Sequence, residues 1–299
     1  MSTLKIISPI FHAITTVIIL ILFTAIGSIP ILLLGLLKLV PNQRLKIYCT
    51  KKVDQIAILW SDINNIYLNY IHPVEWKITG IEHFDPQKWY LVIANHQSWL
   101  DIVVLQRVFN RKIPVLKFFI KDQLKWIPFL GFSWWAMGCP FMKRYSPEYL
   151  AKHPHKKGKD LLSTKKALTL FKQTPATLMS FVEGTRYTDQ KRSQQNAPYQ
   201  QLLKPKAGGI GFVIDAMNQH ITQLLDVTII YPNENHSLWN FLCQRVDSVQ
   251  IHIRQLTIPS QFLKSTLFID EALLSEFRSW LNQQWLEKDQ LITKMKTQS

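Results

Sequence analysis

Between Ile6 and Val40 the chain carries a single charge, Lys38, and no acidic residue. As a helix, the stretch Ile10 to Ile29 is long and apolar enough to cross about 30 Å of hydrocarbon, so it reads as a membrane segment. Pro9 and Pro30 punctuate the run, and Gly27-Ser28 ahead of Pro30 predicts a break before a second short apolar stretch, Ile31 to Val40. One spanning helix and a two-helix re-entrant or surface-lying anchor both satisfy this pattern. The run far exceeds the apolar core of a cleaved signal peptide, and no small-residue cleavage site follows it. Lys5 alone precedes it, whereas Lys38, Arg44, Lys46, Lys51 and Lys52 follow its centre, which predicts a cytoplasmic location for everything downstream. The expected location is the bacterial cytoplasmic (inner) membrane, with the folded domain facing the cytoplasm.

Beyond this run the periodicity changes. Val53, Ile56, Ala57, Trp60, Ile63, Tyr67 and Tyr70 recur at helical spacing and predict an amphipathic helix ending before His72-Pro73. Short strands are predicted at Val74 to Thr79, Tyr90 to Ala94, Ile113 to Ile120, Pro140 to Lys143, Thr177 to Val182 and Leu225 to Tyr231, with helical stretches between several of them. Tyr90 to Ala94 is apolar throughout, as in a strand covered on both faces. Val249, Ile251 and Ile253 alternate with Gln250, His252 and Arg254, which predicts a strand wet on one side, at a sheet edge. Leu273, Leu274, Phe277, Trp280, Leu281 and Trp285 share one face of a final helix, expected to pack on the sheet.

The fold class is therefore α/β: a mixed, mostly buried sheet flanked by helices, preceded by an N-terminal hydrophobic helical membrane anchor. At 299 residues the chain divides into an anchor, 1–45, and one large domain, 46–299, closed by the C-terminal amphipathic helix. Lys+Arg 35 against Asp+Glu 20 leaves a net charge of +15, which calls for anionic company: lipid headgroups, a phosphorylated substrate, an acidic carrier or nucleic acid. Cys49, Cys139 and Cys243 lie far apart without a C-x-x-C, so no disulfide framework and no metal site are expected. His153 and His155, in the polar insertion Ala151 to Asp160, read as solvated loop residues rather than ligands.

Three short segments carry chemistry. Asn95-His96-Gln97-Ser98-Trp99-Leu100-Asp101 falls where a buried strand gives way to a helix, the place at which α/β folds present reactive groups. A histidine there can take a proton from a substrate hydroxyl while a carboxylate fixes its tautomer. Ser98-x-x-Asp101 also fits a helix N-terminal capping arrangement, and the two readings are compatible. Glu183-Gly184-Thr185-Arg186 ends another strand, ahead of a basic loop through Lys191, Arg192, Lys204 and Lys206; Gly184 allows close backbone approach and Arg186 offers a planar fork to a phosphate dianion. Gly138 to Arg144 is a third strand, ending in two cations. Taken alone, the second segment also fits a Glu183–Arg186 ion pair, and the third a solvated strand end. No G-x-S-x-G nucleophile is present, which favours direct transfer over an acyl-enzyme.

With these blocks in this order, the sequence resembles the lysophospholipid acyltransferase family, which includes 1-acylglycerol-3-phosphate acyltransferase. The N-H-x-S-x-x-D block is matched by Asn95 to Asp101, the G-x-x-x-x-x-R block by Gly138 to Arg144 and the E-G-T-R block by Glu183 to Arg186. The least specific block, an apolar strand ending in proline, resembles Val227 to Pro232. The resemblance implies a glycerolipid acyltransferase-like fold, His96 as general base, Asp101 as its partner, and Arg144 and Arg186 on the acceptor phosphate. It places Glu183, Gly184, Thr185, Lys204 and Lys206 at the same site, with Glu183 shaping it. It implies acyl-CoA or acyl carrier protein as co-substrate, no cofactor, and a lysophospholipid acceptor, first among them 1-acylglycerol-3-phosphate. Tyr187 stands where many bacterial members carry serine, similar to the branch that handles longer acyl chains or other lysophospholipids. The rival from another class is a non-catalytic, membrane-tethered protein binding anionic lipid or nucleic acid; no nucleic-acid module is visible in the sequence. Lipid hydrolysis by the same histidine is a third reading.

Overall fold

The computed structural model describes residues 9–72, 74–80, 83–142, 168–169, 171–217, 220–221, 223–232, 236–263, 267 and 270–297. Two 29-residue helices come first, α1 (Pro9–Leu37) and α2 (Gln43–Ile71). The expected break in α1 does not occur: the helix runs through Pro30. Proline removes one backbone donor, but Ile31 and Gly35 beyond it are buried, Gly35 against Ala136 and Trp135, and this packing holds the last two turns in line. Asn42 caps α2 by accepting from the amide of Leu45 at 3.1 Å. The expected boundary at residue 45 thus falls inside α2.

The strands are β1 (Glu75–Thr79), β2 (Tyr90–Ala94), β3 (Leu116–Phe118), β4 (Ile120–Lys121), β5 (Phe141–Met142), β6 (Thr177–Phe181), β7 (Gln223–Ile230) and β8 (Ser248–Thr257). Six of them form one mixed sheet in the order β1-β8-β7-β2-β6-β3, antiparallel only between β7 and β8; β4 and β5 make a separate parallel pair. The helices after α2 are α3 (Leu100–Phe109), α4 (Leu130–Ala136), α5 (Asp189–Gln194), α6 (Ala207–Met217), α7 (Leu238–Leu242) and, after the last strand, α8 (Glu271–Thr297).

β2 is buried at every position, as its unbroken apolar run predicts. Leu91 and Ile93 pack with α6 and α8 through Ile210, Phe277 and Trp285, while Tyr90, Val92 and Ala94 pack with α3 and α7 through Leu100, Val104 and Phe241. Each fully buried side chain of this size contributes about 1.5–3 kcal/mol, so two cores share one central strand.

β8 is not the edge strand expected from its alternation; it lies between β1 and β7. Its polar face is partly exposed, as the alternation predicts, and Arg254 on it is tied to α8. Arg254 pairs with Asp226 of β7 at 2.7 Å and with Glu287 of α8 at 2.7 Å, and Lys288 of α8, fully buried, reaches Asp226 at 2.6 Å. A polar residue on alternate positions marks a buried ion network here as readily as a wet surface.

Candidate active site

β6, β2 and β7 are adjacent and parallel, so their C-terminal ends open onto one rim. Register places Ala94 beside Phe181, which brings the loop after β2 against the turn after β6. Asn95 fixes that loop by acting as an extra strand residue: its side chain donates to the carbonyl of Ile229 and accepts from the amide of Ile229, both at 2.9 Å.

Asp101, in the first turn of α3, is fully buried and surrounded by donors. One oxygen takes His96 Nδ1 at 2.7 Å, the Gln97 amide at 2.6 Å and the Ser98 amide at 2.9 Å; the other takes the hydroxyl of Tyr231 at 2.7 Å. Capping and charge partnership are therefore one structure, since the backbone amides at the start of α3 hold the carboxylate that holds the histidine. A carboxylate so placed only accepts, which puts the imidazole proton on Nδ1 and leaves the lone pair on Nε2. The ring, 14% exposed, stacks on Phe181 at 3.9 Å between centroids and 13° between planes, and the carbonyl of His96 accepts from the Tyr187 amide at 2.7 Å. An imidazole held on two edges and one face has little freedom to turn.

The turn after β6 supplies the cations. Gly184 has φ +71°, a left-handed conformation that side chains disfavour. Its amide closes the turn on the Phe181 carbonyl at 2.9 Å. The exposed Arg186 lies over the Trp99 ring, 5.4 Å from its centroid, next to the His96 loop. Lys191 donates to the Thr185 hydroxyl and to the Arg186 carbonyl, both at 2.9 Å, and a side chain at Gly184 would meet the end of Lys206 at 3.2 Å. Lys206 therefore stands at the turn. Lys204 is exposed and is tied instead through its amide to Gln195 at 3.1 Å.

Glu183 is fully buried, so its carboxyl does not face a soluble phosphate, and the expected site-shaping part is the one its position allows. Burial pushes it up to about 8, against the pull of Lys288 and with a smaller push from Asp101. A neutral, protonated Glu183 behind the turn leaves the cations in front of it unneutralised. Arg144, and the insertion with His153 and His155, lie outside the described residues. Sequence reasoning missed Tyr231, whose hydroxyl is buried and held well above its ordinary range by burial and by Asp101. Its one signal is its place at the end of an apolar strand.

Against known proteins, the family model Acyltransferase matches residues 75–232, just over half of the chain and the span that holds every part of this site. The chain belongs to the acyltransferase family. Among its relatives are the 1-acyl-sn-glycerol-3-phosphate acyltransferase epsilon of Mus musculus, 24% identical over 227 residues, 68% of this chain and 56% of that one, and the 1-acyl-sn-glycerol-3-phosphate acyltransferase of Saccharomyces cerevisiae, 31% identical over 147 residues, 48% and 44% respectively. The chain spans about half the length of the curated relatives it matches. In fold it is similar to the crystal structure of the 1-acyl-sn-glycerophosphate (LPA) acyltransferase PlsC from Thermotoga maritima, with TM-score 0.54 at 16% identity over 93% of this chain and 94% of that one. The acyltransferase match runs from Glu75 to Pro232, so α1, α2, α7, β8 and α8 lie outside it.

Proposed function

We propose that this chain transfers a fatty acyl group from a thioester, acyl-CoA or acyl carrier protein, to the free hydroxyl of a lysophospholipid, with 1-acylglycerol-3-phosphate as the first acceptor to test. The observation that carries this reading is the 2.7 Å contact between His96 Nδ1 and the buried Asp101, which leaves Nε2 as the proton acceptor on the loop whose Trp99 lies under Arg186. In the proposed step Nε2 takes the proton of the acceptor hydroxyl as its oxygen attacks the thioester carbonyl carbon. The tetrahedral adduct collapses with cleavage of the C–S bond, and the imidazolium returns the proton to the departing thiolate. Asp101 stabilises the transient cation and stays ionised.

Arg186, with Lys206 and Lys191 around the same turn, suits the acceptor's phosphate, and Arg144 is assigned there by its motif. The apolar α1 suits a protein whose acceptor and product reside in a membrane, and the cations after it favour the cytoplasmic leaflet of a bacterial inner membrane. The test is product analysis by mass spectrometry, with mixed lysophospholipids and each donor offered to the purified protein. His96→Ala should abolish transfer, a loss of about 10²–10⁴-fold. Full turnover by that variant, or fatty acid release without an acceptor, would sink the assignment.

A further inference from the structure

The apolar stripe of α8 accounts for its packing on the sheet, but not for the hydrogen-bonding groups it turns toward the site. Asn282, Trp285, Asp289 and Lys296 recur at helical spacing and share one side of the helix. All four meet the irregular segment 195–206, which joins α5 to α6. The Tyr199 hydroxyl donates to Asn282 Oδ1 at 3.2 Å, and Trp285 Nε1 donates to the Leu203 carbonyl at 3.1 Å. Lys296 donates to Gln201 Oε1 at 2.6 Å. Asp289 is the centre of this row. It is 5% exposed, and its two oxygens accept one each from the amides of Gln200 and Gln201, at 2.8 and 2.7 Å. Two charge-assisted bonds to successive amides fix two peptide planes at once.

The same segment ends at the candidate site. The Lys206 amide donates to the Val182 carbonyl at 2.8 Å, one residue before Glu183, and the end of the Lys206 side chain stands beside Gly184. Upstream, the Gln200 carbonyl lies 3.2 Å from the hydroxyl of Tyr187, which shares its proton with Asp189 at 2.8 Å. Tyr187 follows Arg186 directly, and its amide holds the His96 carbonyl at 2.7 Å. Attachment of the segment does not depend on Asp289, because Tyr199 and Leu202 are buried in the core that includes Trp285 and Ile292 of α8. What the carboxylate adds is orientation. A segment with neither helix nor strand has no ladder of its own to keep a cation in place, and cations that bind a phosphate have to be held within about 0.5 Å of the productive geometry.

We propose that Asp289 is a positioning residue for recognition of the acceptor's phosphate: through the amides of Gln200 and Gln201 it sets the segment 199–206, and Lys206 with it, against the turn after β6. It acts through the backbone and not on the substrate. The inference rests on the function proposed above and deepens it, adding a determinant from α8, beyond the acyltransferase match.

The test is steady-state kinetics of the purified full chain in detergent micelles, with 1-acylglycerol-3-phosphate and the acyl-CoA or acyl carrier protein donor varied in turn, for Asp289→Asn, Lys206→Gln and the double variant. Asparagine keeps the size of the side chain but turns a donor group toward one of the two amides. In Asp289→Asn the KM for the acceptor should rise about tenfold while the KM for the donor stays within about twofold. Lys206→Gln should raise the acceptor KM to a similar extent, and the double variant should show no further rise. A purely structural Asp289 would lower the fraction of active enzyme, and so the apparent kcat, with both KM values unmoved. That result, or rises that multiply in the double variant, overturns the proposal. Should Asp289→Asn not fold, Asp289→Glu, which keeps both oxygens and displaces them by one methylene, carries the same expectation, and an unchanged acceptor KM overturns it equally. Wild-type turnover with an unmoved acceptor KM in the variants sinks the proposal alone, whereas a wild type that transfers to no acceptor sinks the function and the proposal with it.

Discussion

At the scale of residues, the site is a competition for Asp101. Each donor around its oxygens fixes its position and withdraws part of its charge from His96. Tyr231→Phe removes one charge-assisted hydrogen bond, worth about 1.5–3 kcal/mol, without removing the ring. The carboxylate is then held less firmly against the imidazole, and kcat should fall about tenfold with KM for the acceptor little changed. An unchanged kcat would reduce Tyr231 to packing. Glu183 makes a second prediction. Its carboxyl is ordinary in the unfolded chain and raised to about 8 in the folded one, so the folded state binds the proton more tightly. The cost of the buried acid is absent below the unfolded value near 4.5, grows as pH rises, and is complete above about 8. Glu183→Gln should therefore gain thermal stability over the wild type progressively between those limits, seen as a widening difference in Tm. His96 and Asp101 were legible in the sequence because both lie on one strand–helix junction. Tyr231 was not, because 130 residues separate it from the carboxylate it serves and only the β2–β7 pairing brings them together.

At the scale of elements, the turn after β6 and the face of α8 decide where charge resides. Gly184→Ala would hold a side chain at φ +71° and push on the end of Lys206, a cost of about 1–2 kcal/mol from the backbone alone. The expected outcome is a lowered Tm and a raised KM for a phosphate-bearing acceptor, because the strained turn is the one that presents Arg186. On α8, Lys288 donates to the Val227 carbonyl at 2.7 Å and pairs with Asp226, and burial pushes its pKa down against that partner. Lys288→Met should destabilise the fold by about 3–5 kcal/mol in denaturant unfolding, and adding Asp226→Asn should recover part of that loss. The element types themselves were legible: β2 from its continuous apolar run, α8 from its aromatic stripe. The position of β8 was not, because alternation records which face is polar and is silent on whether a further strand, here β1, pairs with its backbone. Pro30 misled for a related reason, since a local helix-breaking preference was outweighed by packing that only the folded chain supplies.

At the scale of the whole molecule, four carboxyl groups are drawn inside. Asp101, Glu183 and Asp226 are fully buried and Asp289 is 5% exposed, its carboxylate accepting from the amides of Gln200 and Gln201 at 2.8 and 2.7 Å. Lys117 and Lys288 are buried as well, so the surface keeps close to the net charge of +15, and its cations include Arg44 after α1 and those of the β6 turn. Such a field draws the protein and a phosphate-bearing acceptor toward the same place over a distance set by the ionic atmosphere, about 10 Å at 0.1 M salt and about 3 Å at 1 M. Transfer to an acceptor presented in anionic vesicles should therefore slow as salt rises, mainly through a higher apparent KM. In neutral vesicles the same rise in salt should act only on the acceptor's own phosphate and so have a smaller effect. Initial rates over a salt series in the two vesicle types measure the difference. Parallel salt curves would mean that the basic surface serves the substrate alone and that α1 meets the membrane without electrostatic help.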